Sequence, residues 1–197
     1  MEHLMLISTP GCGRTMYARS LAEEPSATKF FIAREGATST LHRMAGLPPR
    51  KVLDVPFRAP YHTVSVTGIT GSLINGYNVR PGELSLAHGG ILLLDEAAEF
   101  SRTVLDHVLT VLRTGEVELY GYRGTRVILP AQFRLVISTN PCPCAFRTSN
   151  VRKCVCSDQQ CKRYMDRLSA FRNHCRVVEE PEIRERVTAI RGKASNE

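Results

Sequence analysis

The stretch Ile91-Leu92-Leu93-Leu94-Asp95-Glu96 decides how this chain is read. Four apolar residues followed by two adjacent carboxylates describe a strand buried on both faces that delivers its acids at its carboxyl end. Strands of that kind belong to parallel sheets, where ligands bind beyond the carboxyl ends. Upstream, Pro10-Gly11-Cys12-Gly13-Arg14-Thr15 follows another apolar run, Leu4-Met5-Leu6-Ile7, and opens into a helix-like stretch from Met16 to Glu24. Strand, glycine-rich turn and helix form the context of a phosphate-binding loop. Either segment alone reads as an ordinary buried strand or an ordinary turn. Their conjunction points to a nucleoside triphosphatase.

The chemistry of that pairing follows from the residue types. Gly11 and Gly13 let the backbone turn its N–H groups inward, and the helix N-terminus that follows adds a positive dipole end. Backbone donors of Gly11, Cys12, Gly13, Arg14 and Thr15 are therefore the candidate nucleotide-binding set. Thr15 offers a hydroxyl to Mg²⁺ and Asp95 a carboxylate to the same ion, while Glu96 is placed to orient or deprotonate an attacking water. Two positions depart from the phosphate-loop pattern G-x-x-x-x-G-K-[ST]: Ser8 stands where it asks for Gly, and Arg14 where it asks for Lys. Arg14 keeps the charge but exchanges a compact ammonium for a broad planar fork, which favours binding over turnover.

With 197 residues, 43% hydrophobic and 23% charged, the chain is long enough for one domain with a real core and ordinary for a globular protein. No apolar run approaches the ~20 residues that span a bilayer, and Met1-Glu2-His3 lacks the basic and apolar regions of a signal peptide, so a cytoplasmic location is expected. A net charge of +7 favours a polyanionic partner, nucleotide or nucleic acid.

Along the chain, Phe30-Phe31-Ile32 reads as a short strand, followed by a polar stretch ending at Pro48-Pro49. From Val52 to Gly90, Gly, Pro, Thr and Ser dominate. The alternation in Thr63-Val64-Ser65-Val66-Thr67 predicts a hairpin or extended insert outside the core. Ser101 is the expected N-cap of a helix through Arg113, with Val104, Leu105, Val108, Leu109 and Leu112 on one face and Gly115 ending it. Val117 to Leu129 reads as a second hairpin around Gly121 and Gly124. Leu135-Val136-Ile137-Ser138 is another buried strand, delivering Thr139 and Asn140.

Asn140 can be a turn residue before Pro141, yet its place after a buried strand lets an amide reach a γ-phosphate or an attacking water. Downstream, Cys142-Pro143-Cys144 and Cys154-Val155-Cys156 form two tight pairs that can give four thiolates to one Zn²⁺, or remain reduced thiols in a basic loop with Arg147, Arg152 and Lys153. Ser157 and Gln160 resemble a capping box opening a helix whose Cys161, Tyr164, Met165 and Leu168 share a face, with Cys161 as a small buried hydrophobe. Cys175 has no readable partner.

On Pro56-Phe57-Arg58-Ala59-Pro60-Tyr61-His62-Thr63, Arg80 to Gly90, Leu94-Asp95-Glu96, Glu99-Phe100-Ser101-Arg102, Asn140-Pro141-Cys142-Pro143-Cys144, Arg163-Tyr164 and Arg167-Leu168-Ser169, the chain resembles the magnesium chelatase-like AAA+ ATPases, and within them the competence-associated ComM/YifB group. The resemblance covers roughly residues 1–169. It implies an α/β fold: a three-layer nucleotide-binding core with a parallel sheet and two β-hairpin inserts, at 57–82 and 117–129, facing a ring pore. It implies ATP and Mg²⁺ as cofactors, assembly into a homo-oligomeric (usually hexameric) ring, and ATP-driven action on DNA. Asp95 and Glu96 would be the metal-binding and catalytic acids and Asn140 the first sensor.

The departures bear on activity. After Ser169 the family runs to a Leu-Asp-Arg whose arginine completes a neighbour's site; here Ala170 to Arg176 does not keep it, ungapped counting puts Cys175 there, and Arg172 or Arg176 are the substitutes at hand. Residues 170–197 read as a shortened C-terminal segment, with Glu182 to Val187 brought forward by a deletion and the helical lid missing. The N-terminal protease-like domain of ComM-type proteins is also expected to be missing. Three functions stay open: a DNA motor of the branch-migration type, a degenerate paralogue that binds nucleotide without hydrolysis, and a magnesium-chelatase motor subunit, against which the Cys-x-Cys pairs argue.

Overall fold

The carboxyl ends of four parallel strands lie side by side, and every candidate residue near the phosphate loop gathers along that edge. The computed structural model describes residues 2–48, 54–76, 78–149 and 152–194. Parts of the segments singled out above fall outside these residues: the boundary at Pro49 and Val52, Tyr77 in the first insert, Asn150 and Val151 in the cysteine-rich loop, and the last three residues of the C-terminal segment.

Strand β1 (His3–Ile7) leads through the loop to α1 (Arg14–Ser20), then a 3₁₀ turn at Leu21–Glu23, α2 (Pro25–Ile32) and α3 (Glu35–Met44). A two-residue strand β2 (Phe57–Arg58) precedes α4 (Val66–Thr70), the hairpin β3 (Gly71–Ile74) and β4 (Asn78–Pro81), and α5 (Glu83–Leu86). Strand β5 (Ile91–Leu94) is followed by α6 (Arg102–Thr114), the hairpin β6 (Glu116–Tyr120) and β7 (Arg126–Pro130), and β8 (Arg134–Thr139). Helix α7 (Asp158–Asp166), β9 (Cys175–Glu179) and α8 (Glu180–Ala194) complete the order.

The main sheet runs β2-β5-β8-β1-β9, and every neighbouring pair is parallel. Its registers align Ile7 with Thr139 and with Glu179, and Leu94 with Ile137, so Ser8, Asp95, Asn140 and Glu180 emerge at one edge. Side chains alternate between the faces of the strands. Met5, Leu92, Leu94, Leu135 and Ile137 pack with Val104, Leu105 and Val108 of α6 on one side. On the other, Leu4, Leu6, Ile91, Leu93, Val136 and Val178 pack with Tyr17 and Ala18 of α1 and Ile183 and Val187 of α8. Both faces are covered, which gives the three layers and explains why these strands read as unbroken apolar runs.

Several expectations are corrected. Phe30-Phe31-Ile32 is the end of α2, not a strand: Pro25 occupies the first helical turn, and Ala27 and Phe31, four apart, are both buried. The first helix ends at Ser20 and continues only as a 3₁₀ turn, short of Glu24. Thr63–Thr67 is not an extended segment. Ser65 caps α4 by accepting from Gly68 N at 3.0 Å, and the hairpin lies further on, at β3 and β4. Nor is the 52–90 region wholly outside the core: β2 is a sheet strand, and Ile69, Leu84 and Leu86 are buried. The α6 reading holds, with Ser101 accepting from Val104 N and Gly115 in the left-handed C-terminal position.

Candidate functional site

Asp95 joins three elements. Its Oδ2 accepts from Thr15 Oγ1 at 3.3 Å, and its Oδ1 accepts from the Glu96 N–H at 3.1 Å and from the Ser138 hydroxyl. One carboxylate thus touches the start of α1, the end of β5 and the end of β8. Glu96 is exposed and adopts a left-handed backbone (φ 53°, ψ 46°), sparsely populated for a residue with a Cβ and kept where surroundings over-determine it. The surroundings here are visible: Arg167, just after α7, donates from Nε to Ala98 O at 2.6 Å and from Nη2 to Phe100 O at 2.7 Å, pinning the turn that follows Glu96. Tyr164 of α7 is buried beside this turn. Burial pushes its phenol above the usual range and the charges of Glu99 and Glu96 add to that, while a hydrogen bond with the Thr139 side chain opposes it.

The glycine-rich turn is held by its neighbours on the β9 side. Gly13 stands at φ 87° as the residue before α1, and a Cβ there would fall 2.9 Å from Val187 of α8, so both its backbone angle and its space call for glycine. Arg14 Nη1 lies within hydrogen-bonding distance of Ser8 O (3.0 Å), Thr139 O (2.7 Å) and Asn140 Oδ1 (3.0 Å). The Arg14 guanidinium therefore bridges the ends of β1 and β8 and meets the Asn140 amide. At the opposite end of the loop, Glu180 Oε2 accepts from Thr9 N at 2.9 Å and from Thr9 Oγ1 at 2.8 Å, while Oε1 accepts from Arg184 Nε and Nη2. Burial opposes the Glu180 charge, but the donors on Thr9, Arg184 and Cys12 outweigh it and hold the carboxyl down to about 2.

All of Gly11, Cys12, Gly13, Arg14, Thr15, Asp95, Glu96 and Asn140 thus lie along one edge, with direct contacts linking Thr15 to Asp95 and Arg14 to Asn140. Ser138, Tyr164, Arg167 and Glu180 were not anticipated. A signal existed for Ser138, a small polar residue directly after the apolar run Leu135-Val136-Ile137, and for Glu180, which follows a strand beside β1; placing Glu180 needed the strand order. Of the two arginines named as substitutes, Arg172 is exposed, whereas Arg176 is engaged by Glu2 and Glu182 at 3.0–3.1 Å. Cys175 is buried, which pushes its thiol up to about 12 and leaves it protonated.

The cysteine pairs converge. The sulfurs of Cys142, Cys144, Cys154 and Cys156 all lie within 4.8 Å of one another. Cys142 Sγ is 3.5 Å from Cys144 Sγ and 3.7 Å from Cys154 Sγ, and Cys144 Sγ is 3.5 Å from Cys154 Sγ. A tetrahedral Zn²⁺ with Zn–S bonds of about 2.3 Å sets its sulfurs roughly 3.8 Å apart, so the donor set has the size such an ion requires. Backbone N–H groups of Phe146 and Val155 hold the Cys144 thiol down to about 6, whereas burial raises those of Cys142 and Cys156.

Residues 1–174 match the family described as "Magnesium chelatase, subunit ChlI". The chain belongs to this family. Among curated relatives it is 37% identical over 172 residues to an uncharacterized protein of Mycobacterium tuberculosis, covering 85% of this chain and 33% of that one. It is 35% identical over 168 residues to competence protein ComM of Haemophilus influenzae and to YifB of Escherichia coli, covering 85% of this chain and 32% of each. The chain spans about a third of the length of the curated relatives it matches. Among solved structures, NtrX from Brucella abortus shares the fold at a TM-score of 0.53 and 20% identity, over 91% of this chain and 32% of that one. The chain is thus a magnesium chelatase-family member, similar to ComM and YifB over most of its own length and sharing its fold with NtrX. Among its described residues no helix is long and apolar enough to cross a membrane.

Proposed function

We propose that this chain is the nucleotide-binding core of a ComM-like ring motor that acts on DNA, with ATP binding retained and hydrolysis impaired. The observation that carries the nucleotide reading is the Thr15–Asp95 contact at 3.3 Å, between residues at the ends of two different strand–loop units. A hydroxyl and a carboxylate meeting beside a glycine-rich turn are the donor set for a hydrated Mg²⁺, which when bound would neutralise the charge of the β- and γ-phosphates. Backbone N–H groups of 11–15 cradle the polyphosphate. Glu96 accepts the proton of an attacking water, and Asn140 orients that water or the terminal phosphate. Arg14 supplies charge, but its guanidinium is engaged with two carbonyls and the Asn140 amide, so hydrolysis is slow. Loss of a trans-acting arginine lowers it further, by about 10³–10⁵ where such a finger normally operates.

DNA is the partner that the hairpins and the charge favour. The two hairpins meet so closely that a Cβ on Gly121 would fall 2.8 Å from Gly76 O. Tyr120 and Tyr122 are each 70% exposed there, with Arg123 stacked near Tyr122, a combination suited to bases and phosphates. A homo-oligomeric, hexameric ring in the cytoplasm is the setting this reading requires. The four cysteines hold one structural Zn²⁺ as a closed tetrahedral site, with no position left for substrate.

Two measurements test these statements. Mg-ATP should raise the melting temperature by binding the native state alone, and an unchanged melting temperature at millimolar nucleotide would count against the site. Protein purified without added metal should carry one equivalent of zinc; less than about a tenth, or four Cys→Ser variants that retain it as well as Cys175→Ser does, returns the cysteines to a reduced loop.

A further inference from the structure

The cysteine centre is not a remote staple. Cys142 is fully buried and stands two residues after Asn140, with buried Pro141 between them. Proline fixes its own φ, so little slack separates the Cys142 sulfur from the Asn140 amide. Thr139 O and Asn140 Oδ1, just before it, both accept from Arg14. The other pair leads into α7: Cys156 precedes Ser157, which caps the helix in a complete capping box with Gln160. That helix carries Tyr164, against Thr139, and ends at Arg167, which pins the turn after Glu96. A second tether joins the loop to α7, since Arg147 Nη1 contacts Asp158 Oδ1 at 2.7 Å and Cys161 Sγ at 3.4 Å. Both residues assigned to the terminal phosphate and its water are therefore held by segments that begin at the four sulfurs.

We infer that metal binding by Cys142, Cys144, Cys154 and Cys156 positions Asn140, so that loading of this centre sets how well the nucleotide site distinguishes a nucleoside triphosphate from a diphosphate. This rests on the nucleotide and zinc readings above. Among the described residues, the hydrogen bonds of Arg14, Thr15 and Asp95 run to Ser8, Glu96, Ser138, Thr139 and Asn140 and not into 142–156, so the α- and β-phosphate contacts stay in place when the metal leaves. What loosens is the amide at the third phosphate. Metal binding is coupled to local order, which supplies the energy of positioning.

The test is calorimetric titration of Mg-ATP and Mg-ADP into three samples: zinc-loaded protein, protein stripped with a chelator, and stripped protein reloaded with Zn²⁺. The same titrations are run on Asn140→Ala. Stripping should weaken ATP binding about tenfold while leaving ADP binding within about twofold, reloading should restore it, and Asn140→Ala should show the same loss with no further effect of stripping. ATP and ADP falling together would mean a general fold staple and overturn the inference, as would an unchanged ATP:ADP ratio or additive effects of stripping and Asn140→Ala. Protein that carries no zinc also overturns it. If zinc-loaded protein binds neither nucleotide, the nucleotide reading itself has failed, a result separate from an unchanged ratio.

Discussion

The two halves of the carboxyl edge are built differently. On the β5–β8 side, Asp95, Glu96 and Asn140 emerge from fully buried strands; the side chains around the two acids (Ser138, Arg167, Tyr164) are neutral or hydrogen-bonded to backbone, and Arg14 reaches across to Thr139 O and Asn140. On the β1–β9 side, the loop is braced by charges: Arg14 lies across the strand ends and Glu180 is bonded to the Thr9 N–H. On the proposed reading the acid half serves metal and water, whereas the loop half has its own anion and cation engaged with backbone. That contrast is the physical basis for expecting binding without efficient turnover.

The largest effect tests the acid half. Glu96→Gln should remove whatever hydrolysis remains, by at least about a hundredfold, while leaving Mg-ATP affinity within about threefold. Wild-type turnover should fall below ~1 per second; a rate at or above that would erase the contrast between the halves.

Glu180→Gln tests the charged brace. The folded carboxyl is held to about 2, below its ordinary value of 4.5, so its contribution is fully present above pH 4.5 and is lost as pH falls toward 2. Water screens much of it, leaving about 1 kcal/mol. The variant should be less stable by that amount at neutral pH and show a shallower loss on acidification in denaturant melts. Identical acid profiles for both proteins would mean that the brace carries no charge-dependent stability.

The smallest effect is expected from Arg14→Lys. An ammonium reaching the same carbonyls satisfies them as a point charge, so Mg-ATP affinity should change by less than about fivefold, with hydrolysis rising because the planar fork no longer crowds Asn140. A rate that falls would show that the guanidinium is adapted to this site.

Much of the acid half was legible in the sequence because strands buried on both faces announce themselves as apolar runs and end where polarity returns, as at Asp95 and Asn140. The cysteine pairs were legible for a similar reason, since their spacing is local. What was not legible depends on neighbours far apart in the chain. Glu180 meets Thr9 only because β9 lies beside β1, and Arg167 supports Glu96 only because α7 folds back over that turn. Phe30-Phe31-Ile32 misled for a different reason: a short apolar run fits a strand or the buried side of a helix, and Pro25 with Ala27 decided it. At Thr63–Thr67, alternating β-branched residues suggested extension, but the Ser65 cap and the burial of Ile69 prevailed, and the hairpin lies further on.

If Thr15 and Asp95 hold the metal of a bound nucleotide, calorimetric titration of Mg-ATP into wild-type protein and Asp95→Ala will show it. Wild type should bind with a Kd below about 1 mM, and Asp95→Ala at least tenfold more weakly in Mg²⁺ but with little difference when both are titrated with ATP in a metal chelator. No binding to wild type, or equal affinities for Mg-ATP in the two proteins, would contradict it.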